Sequence, residues 1–127
     1  MTLISMALFL LIFLGACAVI CREGFFTSAA SVFGTVAALT AAFAVRVFLL
    51  DSVTDDYTNF LSVWVQYFRD NGGFASIADI VGNYNLPYLY FLALFSYIPI
   101  DDLYLIKYLS IIFDVVLAWG IGRIVFF

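Results

Sequence analysis

The sequence is short of the residue types that most soluble enzymes use for chemistry. Only 11% of its 127 residues are charged, histidine is absent, and there are two cysteines and two prolines. Without histidine, Cys17 and Cys21 do not complete a metal site, and four residues apart in an apolar helix they are poorly placed for a disulfide. The net charge of −4 provides no basic surface for nucleic acid or for lipid headgroups. We expect no metal, no cofactor and no nucleic-acid partner.

Apolar residues dominate what is there. They make up 66% of the chain, and the mean hydropathy is +1.14, whereas ordinary globular domains are about 45–50% apolar. This composition predicts an all-α, polytopic integral membrane protein. Because about 20 apolar residues cross a hydrocarbon core of roughly 30 Å, we place four transmembrane helices near 2–21, 25–50, 86–100 and 103–127. The third, of about fifteen residues, is short and suggests a helix buried among others or one that thins the bilayer. Asp102 is expected to cap the fourth.

The first two predicted spans carry three features that need interpretation. Leu14-Gly15-Ala16-Cys17 is similar to a lipobox, but no basic residue precedes the apolar run, so a span is favoured over a secretory signal. In the second span Ala30, Gly34, Ala38 and Ala42 recur every four residues, which predicts close packing against another helix, including helices outside this chain. Arg46 either reaches up to the membrane surface or pairs with a carboxylate such as Asp51.

The polar segment 51–85 separates the second and third spans. From Asp56 to Asp70 its apolar residues recur with the 3.6-residue period of an amphipathic helix, which we expect to lie along the membrane surface. Thr54 or Asp55 is expected to cap the start of this helix, and Gly72 to end it in a left-handed conformation. A second short helix is predicted near 74–81.

The acidic residues Asp51, Asp55 and Asp56 gather where the second span meets the surface helix. Aspartate is a preferred helix cap, and the helix dipole stabilises it there, so a structural role explains the cluster. A general base at the membrane surface is the functional alternative, which requires geometry that a sequence does not show.

The order of motifs around this segment is more specific. The motifs are Asp56-Tyr57-x2-Phe60-Leu61-x2-Trp64-x3-Phe68-Arg69-x-Asn71-Gly72-Gly73-Phe74, Gly82-Asn83-Tyr84-Asn85-x-Pro87-Tyr88-Leu89-Tyr90, Leu103-Tyr104-Leu105-Ile106-Lys107 and Phe113-Asp114. This pattern, over roughly 46–125, resembles the N-terminal part of bacterial polytopic glycosyltransferases of the GT-C class that are related to the second GPI mannosyltransferase.

The resemblance implies a function and a site. The chain would be the N-terminal portion of an enzyme of the bacterial cell membrane that moves a sugar from a polyprenyl-phosphate donor to an acceptor hydroxyl on the extracytoplasmic side. Asp56 matches the position of the acceptor base, and the neighbouring Asp55 is the alternative. The departing lipid phosphate needs cations, of which Arg69 is one. Because the family has more spans than this chain, we expect further transmembrane helices to pack against it, and the chain to be a fragment that is inactive alone.

Other residues have competing interpretations. Asn83, Tyr84 and Asn85 are candidates for sugar contacts, but the favoured explanation is a turn before a helix with Pro87 in its first turn and Asn85 as its cap. Lys107 is a further candidate for substrate binding, or for pairing with a neighbouring span. A non-catalytic membrane packing or accessory protein is the alternative function, and a transporter fragment ranks below both.

Overall fold

A computed structural model describes residues 3–23, 28–79 and 85–126. The described part of the chain is helical and contains no β-strand, which confirms the predicted all-α class. Its helices are α1 (Leu3–Arg22), α2 (Ala29–Leu49), α3 (a π-helical turn Tyr57–Leu61 continued by the α-helix Ser62–Asp70), a 3-10 helix (Gly73–Asp79), α4 (Leu86–Phe95) and α5 (Asp102–Phe126). By length and composition α1, α2 and α5 are suited to cross a membrane. The chain therefore has the helices of a membrane protein.

The chain divides into two compact units. Unit 1 comprises Met1–Asp51 and Lys107–Phe127, and unit 2 comprises Ser52–Ile106. Helix α5 contributes its first five residues to unit 2 and its remainder to unit 1.

Aromatic rings and polar side chains hold the three helices of unit 1 together. Phe43 of α2 packs edge-on against Phe9 and Phe13 of α1, with ring centroids 5.4 and 5.1 Å apart. Near the start of α1, the hydroxyl of Tyr108 on α5 donates to the Ser5 carbonyl at 2.8 Å and also contacts the Ser5 hydroxyl. Both side chains are buried, so the bond satisfies two polar groups inside an apolar bundle.

Helix α2 begins later than the apolar run suggests because a serine pair caps it. Ser28 Oγ accepts a hydrogen bond from the Ser31 N–H at 3.2 Å, and Ser31 Oγ accepts one from the Ser28 N–H at 3.3 Å. This reciprocal capping satisfies backbone groups that the helix itself leaves unpaired.

The amphipathic helix α3 forms the core of unit 2. Its buried residues are Leu61, Val65 and Phe68, which follow one another at helical spacing. The chain is helical from Asp55, and a π-turn follows, in which the Ser62 N–H bonds to the Tyr57 carbonyl five residues earlier. Phe60 remains 46% exposed, as expected for a helix with part of its apolar surface turned to lipid.

The turn after α3 is fixed by Tyr97. Gly72 and Gly73 have φ angles of 85° and 64°, so Gly72 supplies the left-handed conformation that its position predicts. The Tyr97 hydroxyl donates to the Gly72 carbonyl at 3.1 Å and accepts from the Phe74 N–H at 3.2 Å. The Phe74 and Tyr97 rings stack at 5.5 Å, which holds the turn against the residues that follow α4.

The structure differs from the sequence prediction at 86–100. Helix α4 has ten residues, about 15 Å of axis, which is half of a hydrocarbon core. Turn hydrogen bonds from Tyr97 and Ile98 end it, and Pro99 disfavours helical geometry in the residue before it. A turn thus interrupts this apolar run, and among the described residues three helices, not the predicted four, have the length to span a membrane.

Candidate functional site

Thr54 caps the helix on which the two candidate bases lie. The chain is helical from Asp55 onward, and Thr54 Oγ1 accepts a hydrogen bond from the Tyr57 N–H at 3.2 Å. One of the two predicted caps is confirmed, and it is the threonine. Asp55 and Asp56 lie exposed in the first turn, where the helix dipole stabilises a carboxylate, and Asp56 makes no capping hydrogen bond.

The charge of Asp56 affects the pKa of Tyr88, which belongs to a different motif of the sequence. Tyr88, in the first turn of α4, is half-buried, and its pKa is raised by burial first and then by the negative charge of Asp56. Asp56 and Tyr88 are 32 positions apart in the sequence. The structure thus relates the aspartate pair to the segment around Pro87 within unit 2.

A second polar cluster surrounds the start of α5. Burial raises the pKa of the Tyr57 phenol, the charges of Asp101 and Asp102 raise it further, and a hydrogen bond from the Leu103 backbone opposes them. Asp101 Oδ1 accepts from the Leu103 N–H at 2.9 Å and so caps α5. The prediction that Asp102 caps this helix is wrong, because its carboxylate is engaged elsewhere.

Arg69 holds Asp102 in a forked ion pair. Its Nη2 lies 2.5 Å from Asp102 Oδ1, and its Nη1 lies 3.3 Å from Oδ2. Asp102 is buried, whereas a third of the Arg69 side chain is exposed. A guanidinium has five N–H donors, so donors remain for a second anion. Arg69 also lines a cavity of 430 Å³ beside the turn Ser96–Ile100.

The candidates Asn83, Tyr84 and Asn85 precede α4 in the sequence. Asn85 occupies the capping position, but its side chain makes no capping hydrogen bond, so that prediction is wrong. Pro87 lies in the first turn, and its fixed φ favours the start of the helix even though no side chain makes a capping hydrogen bond. Asn83 and Tyr84 lie outside the described residues.

The other candidate cations lie in unit 1. Lys107 Nζ donates to the carbonyls of Leu49 and Leu50, where α2 ends. Arg46 pairs with Asp114 of α5 at 2.6 Å, and not with the predicted Asp51. These contacts join positions 57 to 68 residues apart, which no local pattern could reveal.

Two residues of this arrangement, Tyr88 and Asp102, were not among the site residues predicted from the sequence. Tyr88 was part of the motif around Pro87, and its nearness to Asp56 required the fold. Asp102 had only the signal of an acidic pair before an apolar run. Within the described ranges, no group of three or more aspartate, glutamate or cysteine side chains is placed to hold a metal ion.

Comparison with protein-family models, with curated proteins and with solved structures finds no match to this chain.

Proposed function

We propose that the protein is the N-terminal portion of a bacterial membrane glycosyltransferase of mannosyltransferase type, with Asp56 as the acceptor base. The proposal is supported by the exposed position of Asp56 in the first helical turn after the second span, together with the effect of its charge in raising the pKa of Tyr88. Asp56 is the position that matches the acceptor base in the resemblance, and Tyr88 ends its Asn-Tyr-Asn-x-Pro-Tyr motif. A site shared by the two motifs would explain why the charge of one affects the other.

The chemistry suits a carboxylate at a membrane surface. A polyprenyl-phosphate donor keeps its tail in the bilayer, so its anomeric carbon is reached at headgroup depth. Asp56 removes the proton of the acceptor hydroxyl while the oxygen attacks that carbon with inversion. The bond to the lipid phosphate breaks, and the phosphate leaves with the electron pair. Arg69, with donors beyond those that Asp102 occupies, is the candidate cation for this phosphate.

One experiment tests this function directly. Membranes containing the complete reading frame that includes this chain are incubated with polyprenyl-phosphate mannose and membrane-derived acceptors. Label is expected to pass to an acceptor, and membranes without the protein serve as the control. If correctly inserted protein transfers neither mannose nor another hexose from the polyprenyl phosphate, the proposal fails.

A specific observation favours the accessory function as the second candidate. A side chain built at Gly34 would meet nothing within 4 Å, and Ala30 and Ala38 beside it are exposed. The small-residue face of α2 is therefore not covered by the described helices. A face of this kind allows another transmembrane helix to approach closely.

A further inference from the structure

A groove within unit 1 runs between α1, α2 and α5. Its volume is 460 Å³, and most of its wall is apolar. Small residues line it on two helices, namely Thr35 and Ala42 on α2 and Ala118 and Gly122 on α5. A groove with such walls admits the side chains of another helix, because small residues let two backbones approach closely.

An ion pair lies in the wall of this groove. Arg46 Nη2 is 2.6 Å from Asp114 Oδ2, and Arg46 Nη1 donates to the Ala42 carbonyl at 3.3 Å. Asp114 follows the start of α5 by twelve residues, about 18 Å along the axis, so it lies near the middle of the span. Yet its side chain is 55% exposed. A charge at that depth is normally covered by protein or by a water-filled cavity.

The carboxylate retains unused acceptor capacity. A carboxylate has two oxygens with about four acceptor positions. Arg46 is the one donor that residues 3–23, 28–79 and 85–126 offer to Asp114, and it reaches a single oxygen. Hydrocarbon tails carry no hydrogen-bond donor. Lipid packed in the groove would therefore leave the other oxygen, Oδ1, unsatisfied. A mid-helix side-chain amide would supply the missing hydrogen bond.

We propose that a transmembrane helix that is not among α1 to α5 docks in this groove and donates a hydrogen bond to Asp114 from an asparagine or glutamine near its middle. The docking helix is selected by the hydrogen bond from its amide to the Asp114 carboxylate. The small residues in the wall of the groove allow this helix to approach closely. The proposal does not depend on sugar transfer.

Model peptides test it in phosphatidylcholine vesicles. One transmembrane peptide of leucine and alanine carries a single central asparagine, and a matched peptide carries leucine there. Energy transfer is measured from the protein, labelled at Cys21 with Cys17 replaced by alanine, to each peptide. Self-association of each peptide is measured in protein-free vesicles and subtracted. We expect the asparagine peptide to bind about 3- to 30-fold more tightly, the range of an interhelical hydrogen bond.

Three variants complete the test. The double variant Arg46→Leu/Asp114→Leu removes both charges together, so neither is left unpaired, and it should abolish the preference for asparagine. Ala118→Phe fills the groove and should abolish binding of both peptides. This variant keeps both charges, so it tests the proposal independently if the double variant folds poorly. Ala44→Phe, at an exposed position outside the groove, is the matched control and should leave binding unchanged. Equal binding of the two peptides to the parent protein, or unchanged binding to Ala118→Phe, would overturn the proposal and assign the groove to lipid.

Discussion

Lys107 of α5 donates a hydrogen bond of 2.8 Å to the carbonyl of Leu50, just beyond the last residue of α2. A second bond of 2.6 Å reaches the neighbouring Leu49 carbonyl. The last carbonyls of a helix have no partner within it, and a cation there also complements the helix dipole. A residue proposed for substrate binding therefore has a structural role in unit 1.

Replacing Lys107 should lower stability. Lys107→Met leaves two carbonyls without this donor, and because Leu50 is buried we expect a loss of about 1–3 kcal/mol. Lys107→Arg keeps a cation with several donors and should lose less. Thermal unfolding of the purified protein in detergent measures both. If Lys107→Met melted like the parent while binding of a lipid-linked sugar weakened, the substrate interpretation would replace the structural one.

The two glycines after α3 offer a matched pair of substitutions. Both have positive φ, but a Cβ at Gly72 meets open space, whereas one at Gly73 would overlap the Tyr97 phenol. Gly72→Ala should cost about 1–2 kcal/mol for the left-handed backbone alone. Gly73→Ala should cost more, and Tyr97→Ala in the same chain should recover part of the difference. Equal melting temperatures for the two single alanine variants would mean that Tyr97 does not clamp this turn.

Labelling of introduced cysteines tests the topology. If α1, α2 and α5 are the helices that cross the membrane, residue 28 lies on one side and residues 62 and 99 lie on the other. Arg22 and Arg123 lie near the ends of α1 and α5, and Glu23 bridges to Arg123 at 2.8 Å. The five basic residues are divided between the two ends and do not decide the orientation. The proposed function places the polar segment on the extracytoplasmic side, so we expect the end with Arg22 and Arg123 to face the cytoplasm.

The measurement uses Ser28→Cys, Ser62→Cys and Pro99→Cys in a chain without Cys17 and Cys21. An impermeant maleimide added to intact cells should label positions 62 and 99, and position 28 only after permeabilisation. Labelling of positions 28 and 99 from the same side would restore a fourth span at α4. Labelling of position 62 from the cytoplasm alone would reverse the orientation.

Glu23 should make the fluorescence of Trp119 depend on pH. Hydrogen bonds from Trp119 and then from Arg123 hold the pKa of Glu23 below its ordinary value of 4.5. Because the pKa is depressed, the stabilising contribution of the Glu23 carboxylate is fully present above pH 4.5. It is lost as the pH falls through the lower pKa of the folded state. In a Trp64→Phe chain, Trp119 emission should therefore be constant above pH 4.5 and change below it. Persistence of the same transition in Glu23→Gln would assign it to another group.

Patterns that are local in sequence predicted much of the fold. Run lengths predicted α1, α2 and α5, and the 3.6-residue period predicted α3, because membrane thickness and helix geometry act on consecutive residues. Threonine at the cap and glycine at the end of α3 were likewise readable from their positions. The end of α4 was not, since it depends on a turn inside an apolar run.

Contacts between distant residues escaped the sequence. The partners of Arg46 and Lys107 are set by how α5 packs on α2, and no spacing along one helix encodes that packing. Similarly, the sequence did not show that Asp101 and not Asp102 caps α5. Asp102 is paired with Arg69, which lies 33 positions earlier in the chain. For the candidate site, the sequence supplied the residue types, whereas the nearness of Asp56 to Tyr88 required the fold.

Sugar transfer by single asparagine variants tests the central claim most directly. Asp56→Asn and Asp55→Asn are compared in the complete reading frame with a polyprenyl-phosphate sugar donor. Thr54 still caps the helix in both, so folding should be intact. Asp56→Asn should lower transfer by about 10²–10⁴-fold, the range for losing a general base, while Asp55→Asn should remain close to the parent. Near-normal transfer by Asp56→Asn would contradict the account, and would move the base to Asp55 if Asp55→Asn were then inactive.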